Sequence, residues 1–351
     1  MTLSPSHPLM DGRTANSPLI TAYRGGKPSR RPVWFMRQAG RSLPEYRDLR
    51  VGTTMLESCL KPEMAAEITL QPVRRHDVDA AIFFSDIVIP LKLAGVGVDI
   101  VPGVGPVLDK PIRTAEDIAA LPELTDESLD PIREAVALTV KELGSTPLIG
   151  FAGAPFTVAA YMVEGRPSRD HLGPRTMMHA EPELWAELMR WAANASGKFL
   201  RAQIEAGASA GQLFDSWAGS LGLADYTEHV APASSIALDH VRGLGVPLVH
   251  FGTGTSELLG AMLDVGVDVM GVDYRLPLDE ANRRLGGRVP LQGNIDPALL
   301  SAPWEVLEQH VREVVAAGST APAHVVNLGH GVPPDTDPEV LTRLVALVHS
   351  I

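Results

Sequence analysis

The stretch Leu148-Ile-Gly-Phe-Ala-Gly-Ala-Pro-Phe-Thr157 contains the structural unit that recurs along the whole chain. It opens with a short apolar run at residues 148–151, continues through a glycine-rich turn, and reaches Pro155, a residue type favoured in the first turn of a helix. Short apolar runs with β-branched and aromatic residues are typical of parallel strands buried on both faces. The stretch therefore predicts a strand, a loop at its carboxyl end, and a helix.

The same pattern occurs some eight times along the sequence. Each apolar run is followed by a loop rich in Gly, Pro, Asp or Ser and then by a segment of helical periodicity. The runs lie at residues 33–36, 80–84, 148–151, 211–214, 248–251, 267–272, 289–292 and 325–328. This alternation predicts an α/β fold, a single (β/α)8 TIM-like barrel, with an irregular barrel or an open doubly wound sheet as alternatives.

No linker or change in composition divides the chain into separate domains. Residues 1–16 are polar and contain proline, so we expect a flexible N-terminal tail, followed by one barrel domain over residues 17–351. Residues 101–107, Val-Pro-Gly-Val-Gly-Pro-Val, predict a hairpin turn in an insertion between the second and third apolar runs.

The composition excludes several classes of function. The 351 residues include 42 acidic and 30 basic side chains, a net charge of −12, which disfavours a nucleic-acid partner. The single cysteine, Cys59, rules out a disulfide framework within the chain and a zinc site built from several cysteines. Because neither a signal peptide nor a membrane span is recognisable, we expect a cytoplasmic protein.

The first candidate binding cluster is Met36-Arg-Gln-Ala-Gly-Arg41, with Arg50 beyond it. If this stretch is helical, Arg37 and Arg41 share a face, where like charges repel. A bound anion relieves that repulsion, and guanidinium groups suit carboxylates and phosphates. The alternative hypothesis is that Arg41 pairs with Glu45 and that Arg37 is solvated. Both interpretations stay open from the residues alone.

Further candidates follow other predicted strands. Asp86 comes directly after an apolar run, which is typical of an acid at a barrel mouth, but it could equally cap a helix or pair with Lys92. Tyr161 lies on the helix that begins at Pro155, Ser216 follows a strand end, and His330 stands between two glycines. Their structural alternatives are a packed tyrosine, a helix cap and a turn residue.

Motifs for other chemistries are weak or missing. Residues 252–256, Gly-Thr-Gly-Thr-Ser, could hold an anion before a helix or simply form a turn, and they lack the P-loop lysine. No G-x-S-x-G elbow, dinucleotide fingerprint or His-Glu-x-x-His motif is present. The residues thus predict an enzyme that binds an anionic substrate, and leave its reaction open.

Taken together and in order, the motifs resemble those of the uroporphyrinogen decarboxylase family. The similarity extends from about residue 18 to the end of the chain. The stretches that carry it are Met36-Arg-Gln-Ala-Gly-Arg41 with Leu43-Pro-Glu-Tyr46, Phe83-Phe-Ser-Asp-Ile87, Gly150-Phe-Ala-Gly-Ala-Pro-Phe-Thr157 with Tyr161 and Glu164, Phe214-Asp-Ser-Trp217, Leu291-Gln-Gly-Asn-Ile-Asp-Pro297 and Asn327-Leu-Gly-His330.

This resemblance implies a somewhat distorted (β/α)8 barrel that forms a homodimer and uses neither a cofactor nor a metal. The implied reaction is decarboxylation of the four acetate side chains of uroporphyrinogen III, giving coproporphyrinogen III in haem biosynthesis. The catalytic residues that it implies are Asp86, Arg37, Tyr161 and His330. The substrate-binding residues that it implies are Arg37, Gln38, Ala39, Gly40, Arg41, Arg50, Phe84, Asp86, Tyr161, Ser216 and His330.

Two alternative functions stay open at this point. A related barrel methyltransferase, dependent on cobalamin or a thiol, would need a zinc site with His and Cys ligands, and no His-x-Cys pattern lies near Cys59. A non-enzymatic tetrapyrrole-binding protein would need the arginines but not Asp86.

Overall fold

Seven parallel strands form a curled sheet at the centre of the computed structural model, which describes residues 2–40 and 42–351. The order of strands in this sheet is β1-β4-β5-β6-β7-β8-β9, and β2 and β3 form a separate antiparallel hairpin. The strands are β1 (Ala81–Ile82), β2 (Val98–Val101), β3 (Gly105–Leu108), β4 (Leu148–Gly153), β5 (Ala210–Asp215), β6 (Leu248–Gly252), β7 (Val269–Gly271), β8 (Leu291–Ile295) and β9 (His324–Leu328). Both the α/β class and the inserted hairpin are confirmed.

Helices alternate with the strands along the chain. They are α1 (Pro18–Tyr23), α2 (Pro44–Leu49), α3 (Met55–Leu60), α4 (Pro62–His76), α5 (Ile89–Ala94), α6 (Ala115–Ala119), α7 (Asp130–Leu143), α8 (Pro155–Glu164), α9 (Leu172–Ala180), α10 (Pro182–Glu205), α11 (Leu223–His229), α12 (Ala231–Asp239), α13 (Leu259–Asp264), α14 (Leu278–Arg284), α15 (Trp304–Gly318) and α16 (Pro338–Ser350). Within the described residues, none of these helices has the length and apolarity needed to cross a membrane.

The first of the eight predicted strands, at residues 33–36, is not a regular strand. Val33 forms only an isolated parallel bridge with Val326 of β9, and Trp34 N–H donates to the Val326 carbonyl at 3.2 Å. On its other side, Asp79 N–H donates to the Val33 carbonyl at 2.8 Å, just before β1. The segment therefore occupies the position between the last and first strands of the sheet.

Side chains explain why this segment does not continue as a strand. The backbone N–H of Val33 donates to the Asp79 carboxylate at 2.9 Å, and that of Met36 donates to Asn327 Oδ1 at 2.9 Å. Backbone donors that a regular ladder would use are thus bonded to side chains of the neighbouring strand regions. The distortion of the barrel is concentrated at this junction.

Asp79 is the centre of the junction. Its side chain is 1% exposed and accepts Arg30 Nε at 2.7 Å and His349 Nε2 at 2.8 Å, in addition to the Val33 N–H. The carboxylate therefore joins three separate parts of the chain: the segment before the first bridge, the entry to β1, and the last helix, α16. A buried carboxylate is stable only when its oxygens accept hydrogen bonds in this way.

The N-terminal segment, for which the sequence predicts a flexible tail, lies against the barrel over its described residues 2–16. His7 Nε2 lies 3.0 Å from the Ile204 carbonyl at the end of α10, and Thr14 Oγ1 lies 2.8 Å from Ser209 Oγ. Leu3 and Leu9 are buried as well. Apolar and polar side chains at spaced positions thus hold the segment in place, a pattern too sparse for periodicity to reveal.

We predict that Asp79→Asn lowers the free energy of unfolding by about 2 kcal/mol, because hydrogen bonds to a charged group are each worth about 1.5–3 kcal/mol. An amide cannot accept all three donors, and its NH2 group would face one of them. Urea unfolding measures the change. The matched control is Asp77→Asn at the exposed end of α4, where the backbone is left-handed (φ 54°) and asparagine is tolerated. Equal stability of the two variants would contradict the role of Asp79.

Candidate active site

Loops that follow the strands meet at one end of the barrel around an open cavity. Its volume is about 470 Å³. Segment 33–36, β6, β7, β8 and β9 each contribute residues from the loop that follows them, as the barrel prediction requires. The lining includes Arg37, Thr253, Tyr274, Arg275, Asp296 and His330. The structure thus brings together Arg37 and His330, which lie almost 300 residues apart in sequence.

Arg37 reaches this cavity from a turn and not from a helix, so the condition for a shared helical face with Arg41 is not met at Arg37. Its φ angle is 61°, in the left-handed region, and its side chain is exposed. Arg41 itself lies outside the described residues. Glu45, the alternative partner proposed for Arg41, accepts Arg75 Nε at 2.9 Å.

The turn is held from beneath by Gln38. Its side-chain oxygen accepts Phe35 N–H at 2.9 Å, and its amide donates to the Ala80 carbonyl at 2.9 Å. Gln38 is fully buried, so its side chain belongs to the barrel wall, while Ala39 is half-buried and Gly40 buried in the same turn. The sequence signature therefore contains residues that support Arg37 as well as Arg37 itself.

Asp86 lies in the loop that leads from β1 to α5. Its Oδ1 accepts the Val88 N–H at 3.0 Å, so the carboxylate stabilises the turn before α5, but the N-cap position itself is Val88 and has no side-chain cap. Burial raises the pKa of Asp86 above its ordinary value of 3.8, while the Val88 hydrogen bond and the charge of Arg37 oppose that rise. Asp86 and Arg37 therefore act on each other electrostatically.

Tyr161 belongs to the same charged cluster. Burial, together with the charge of Asp86, raises the pKa of its hydroxyl to about 12, and Arg37 opposes the rise. The Tyr161 ring stacks on Trp217 at 3.8 Å between centroids, and His171 lies on Trp217 at 4.3 Å. The Tyr161 hydroxyl therefore stays neutral and can donate a hydrogen bond. The contact with Trp217 sets the position of its ring.

The rest of the α8 face serves the structure. Thr157 Oγ1 donates to Asp215 Oδ1 at 2.8 Å, and Glu164 Oε1 accepts the Gly173 N–H at 3.0 Å. Ser216, next to Asp215 at the end of β5, accepts Thr253 Oγ1 on its carbonyl at 2.6 Å. The helix predicted to begin at Pro155 is confirmed, and the contacts of Thr157 anchor α8 to the end of β5.

Arg50 and Phe84 are linked through Tyr46 at a corner formed by α2, α3 and the loop after β1. Arg50 Nη1 donates to Tyr46 OH at 2.5 Å and its Nε to Ser58 Oγ at 3.1 Å, so α2 and α3 fix the guanidinium. The Tyr46 ring meets Phe84 edge-on at 5.8 Å between centroids. This contact joins the Arg50 corner to the loop that contains Asp86.

The two glycines around His330 have distinct packing roles. A Cβ atom on Gly329 would lie 2.2 Å from the backbone nitrogen of Tyr274, and one on Gly331 would lie 2.4 Å from Arg37 Cδ. Only glycine permits both close approaches. The His330 loop therefore packs between Arg37 on one side and Tyr274 on the other.

Some site residues escaped the sequence analysis. Tyr274 and Arg275 belong to none of the motifs. Trp217 ends the motif Phe214-Asp-Ser-Trp217 but is not among the predicted site residues, and Thr253 falls within the glycine-rich stretch 252–256. Among residues 2–40 and 42–351, no group of three or more His, Cys, Asp or Glu side chains is arranged to hold a metal ion. The predicted independence from metals stays a prediction.

Comparisons with known proteins identify relatives over almost the whole chain. The family model described as uroporphyrinogen decarboxylase (URO-D) matches residues 14–351. Uroporphyrinogen decarboxylase of Arthrobacter sp. (strain FB24) is 83% identical over 342 residues, which cover 97% of this chain and 99% of that protein. The enzyme of the same name from Leifsonia xyli subsp. xyli is 62% identical over 368 residues, covering 99% and 98%.

A solved structure also shares the architecture. A methyltransferase from Methanosarcina mazei superposes with a TM-score of 0.80 at 18% sequence identity, covering 96% of this chain and 98% of its own. At that identity the likeness shows the fold alone. It supports the TIM-barrel-like architecture and leaves the chemistry to the site.

We predict that the pKa of Asp86 lies above 3.8 and rises further in Arg37→Gln, because the variant removes a charge that favours the carboxylate. Infrared difference spectra of the carboxyl band over a pH series, with Asp86→Asn identifying the band, measure both values. Arg283→Gln is the control, since Arg283 lies on α14 and pairs with Glu280 at 2.6 Å. An Asp86 pKa that is unchanged in Arg37→Gln would contradict the electrostatic interaction between Arg37 and Asp86.

Proposed function

The chain belongs to the uroporphyrinogen decarboxylase family, and from that premise we propose how its barrel mouth converts uroporphyrinogen III to coproporphyrinogen III. The reaction removes carbon dioxide from four acetate side chains and leaves four methyl groups. The observation that most directly supports assigning the reaction to this site is that Arg37 lines the cavity and is close enough to Asp86 and Tyr161 to influence the pKa of both groups.

Binding this substrate is first a problem of charge. Uroporphyrinogen III carries eight carboxylates, whereas the chain has a net charge of −12. Cations must therefore be concentrated locally. Arg37 is exposed at the cavity, and Arg50 is held in place by Tyr46 and Ser58. In our proposal Arg37 binds the reacting acetate, with Arg41 and Arg50 adding positive charge.

Decarboxylation also needs an acceptor for the electron pair of the breaking carbon–carbon bond. A pyrrole protonated on a ring carbon is such an acceptor, because the electron pair flows into the ring as carbon dioxide leaves. A second proton then completes the methyl group, and the ring carbon releases the first proton to restore the pyrrole. The protonated ring is positively charged, and the Asp86 carboxylate stabilises that charge. Because the substrate accepts its own electrons, we propose that no metal or organic cofactor takes part.

The environment of Asp86 suits this role. Burial alone favours a neutral carboxyl group, but the Val88 N–H and Arg37 favour the carboxylate. In our mechanism a positively charged ring would favour it further, and only as the reaction proceeds. An interaction that strengthens in the transition state raises turnover more than it raises binding.

The remaining site residues orient the macrocycle in this proposal. Tyr161, with a neutral hydroxyl, and His330, at the cavity, bind the other carboxylates together with Ser216. Gln38 acts through the backbone, because its side chain holds the turn that presents Arg37. Phe84 reduces the access of water to Asp86, since its ring is buried two residues away.

We also propose that the chain works as a homodimer in the cytoplasm, without a nucleic-acid or membrane partner. The dimer rests on the family resemblance. Light scattering of the active protein at micromolar concentration should give twice the chain mass of 37.5 kDa. A monomeric mass in the active preparation would refute the dimer.

We predict that the wild-type chain, incubated anaerobically with uroporphyrinogen III, yields coproporphyrinogen III and that Asp86→Asn lowers kcat by about 10²–10³. The variant keeps the size of the side chain but removes the charge, and its NH2 would face the pyrrole N–H donors. Chromatography of the oxidised products measures turnover. Asp86→Glu keeps the charge one methylene away, so it should retain partial activity.

The comparison separates two kinds of failure. Wild-type protein that binds the substrate without forming products with fewer carboxylates would contradict the proposed reaction. Near-normal turnover of Asp86→Asn would instead remove the charge-stabilising role of Asp86 while leaving the reaction in place.

A further inference from the structure

Arg275 is a cation at the cavity that the mechanism has not used. It follows β7, lines the same cavity as Arg37 and His330, and about half of its side chain is exposed (49%). The guanidinium of arginine presents a planar fork of donors that fits a carboxylate, so an arginine in this cleft is a candidate anion-binding residue.

The guanidinium of Arg275 is held in a defined position. Its Nη1 pairs with Asp273 Oδ2, and its Cζ lies 4.5 Å from the centroid of the Tyr274 ring. Asp273 is itself fixed, because it also accepts the Gly254 N–H at 2.6 Å and the Arg275 N–H at 3.1 Å. An arginine fixed by an ion pair and a ring loses little side-chain freedom when it binds an anion.

The two acidic groups at this side of the cavity are directed at donors of the protein. Asp273 is almost fully buried and shares its charge with two backbone N–H groups and Arg275. Asp296 Oδ1 accepts the Ala298 N–H at 2.9 Å, where it begins a short 3-10 helix. Neither carboxylate therefore prevents Arg275 from receiving an anion in the cavity.

Packing links Arg275 to the catalytic side of the cavity. Gly329 lies against the backbone of Tyr274, and Gly331 lies against Arg37, so the His330 loop separates the two arginines at close range. Each substrate pyrrole carries an acetate and a propionate on adjacent ring carbons. If Arg37 binds the acetate, the propionate beside it can extend over the His330 loop.

We propose that Arg275 binds a propionate carboxylate of the tetrapyrrole and so sets the orientation of the ring that reacts. The proposal rests on the proposed function and adds a binding residue to it. All four propionates survive the reaction, so a residue that binds them can orient the substrate, every partly decarboxylated intermediate and the product alike.

The test compares the substrate with the product, which keeps the propionates but has lost every acetate. Arg275→Gln should raise the KM for uroporphyrinogen III about tenfold with a smaller change in kcat, and should weaken the binding of coproporphyrinogen III about as much, because one charged hydrogen bond is worth roughly a factor of ten or more. Arg275→Lys keeps the ion pair with Asp273, so its KM and its affinity for coproporphyrinogen III should lie between those of the wild type and of Arg275→Gln. Arg283→Gln, on α14, is the matched control and should change neither quantity.

Each outcome decides the proposal. An unchanged KM and unchanged product binding in Arg275→Gln, with wild-type turnover intact, would overturn the role of Arg275 and leave the decarboxylase function standing. A raised KM with unchanged product binding would also overturn it, since the contact would then be with an acetate. If the wild-type chain bound coproporphyrinogen III but released no carbon dioxide from uroporphyrinogen III, the proposed function would fail, and the product-binding comparison would still test Arg275.

Discussion

The barrel depends on a junction where side chains replace a strand. The backbone N–H groups of Val33 and Met36 donate to Asp79 and Asn327, so the segment between β9 and β1 bridges both edges of the sheet without forming a full ladder. A segment freed from a ladder can turn sharply, and Arg37 follows at once with a left-handed backbone. The segment that closes the barrel therefore also positions Arg37 at the cavity.

The site places a positive charge, Arg37, in a protein whose net charge is −12. Arg37 lies at the cavity, acts on Asp86 and on Tyr161, and packs against the loop that contains His330. Arg37 opposes the rise that burial causes in the pKa of Asp86, and so it favours the carboxylate form. In our proposal this balance lets one cleft bind a polyanionic substrate and still present a negative charge to the ring that becomes positive.

Local patterns in the sequence were sufficient for the regular parts of the molecule. Apolar runs located the seven strands of the sheet, and the start of α8 at Pro155 followed from proline and glycine alone. The strand expected at residues 33–36 failed because its donors bond to Asp79 and Asn327, which lie far along the chain. The motifs contain Arg37, Asp86 and Trp217, but the stacking of Trp217 on Tyr161 is a tertiary contact that the motif does not reveal. Arg275 belongs to no motif and became apparent only because it lines the same cavity as Arg37.

The location of a bound tetrapyrrole tests the central claim most directly. A crystal structure of the complex with coproporphyrinogen III, prepared anaerobically, should show the macrocycle in the barrel-mouth cleft with its pyrrole N–H groups directed at Asp86. One of its propionates should lie beside the His330 loop and bind Arg275. A macrocycle bound outside the cleft, or one that presents carboxylates to Asp86, would contradict the account.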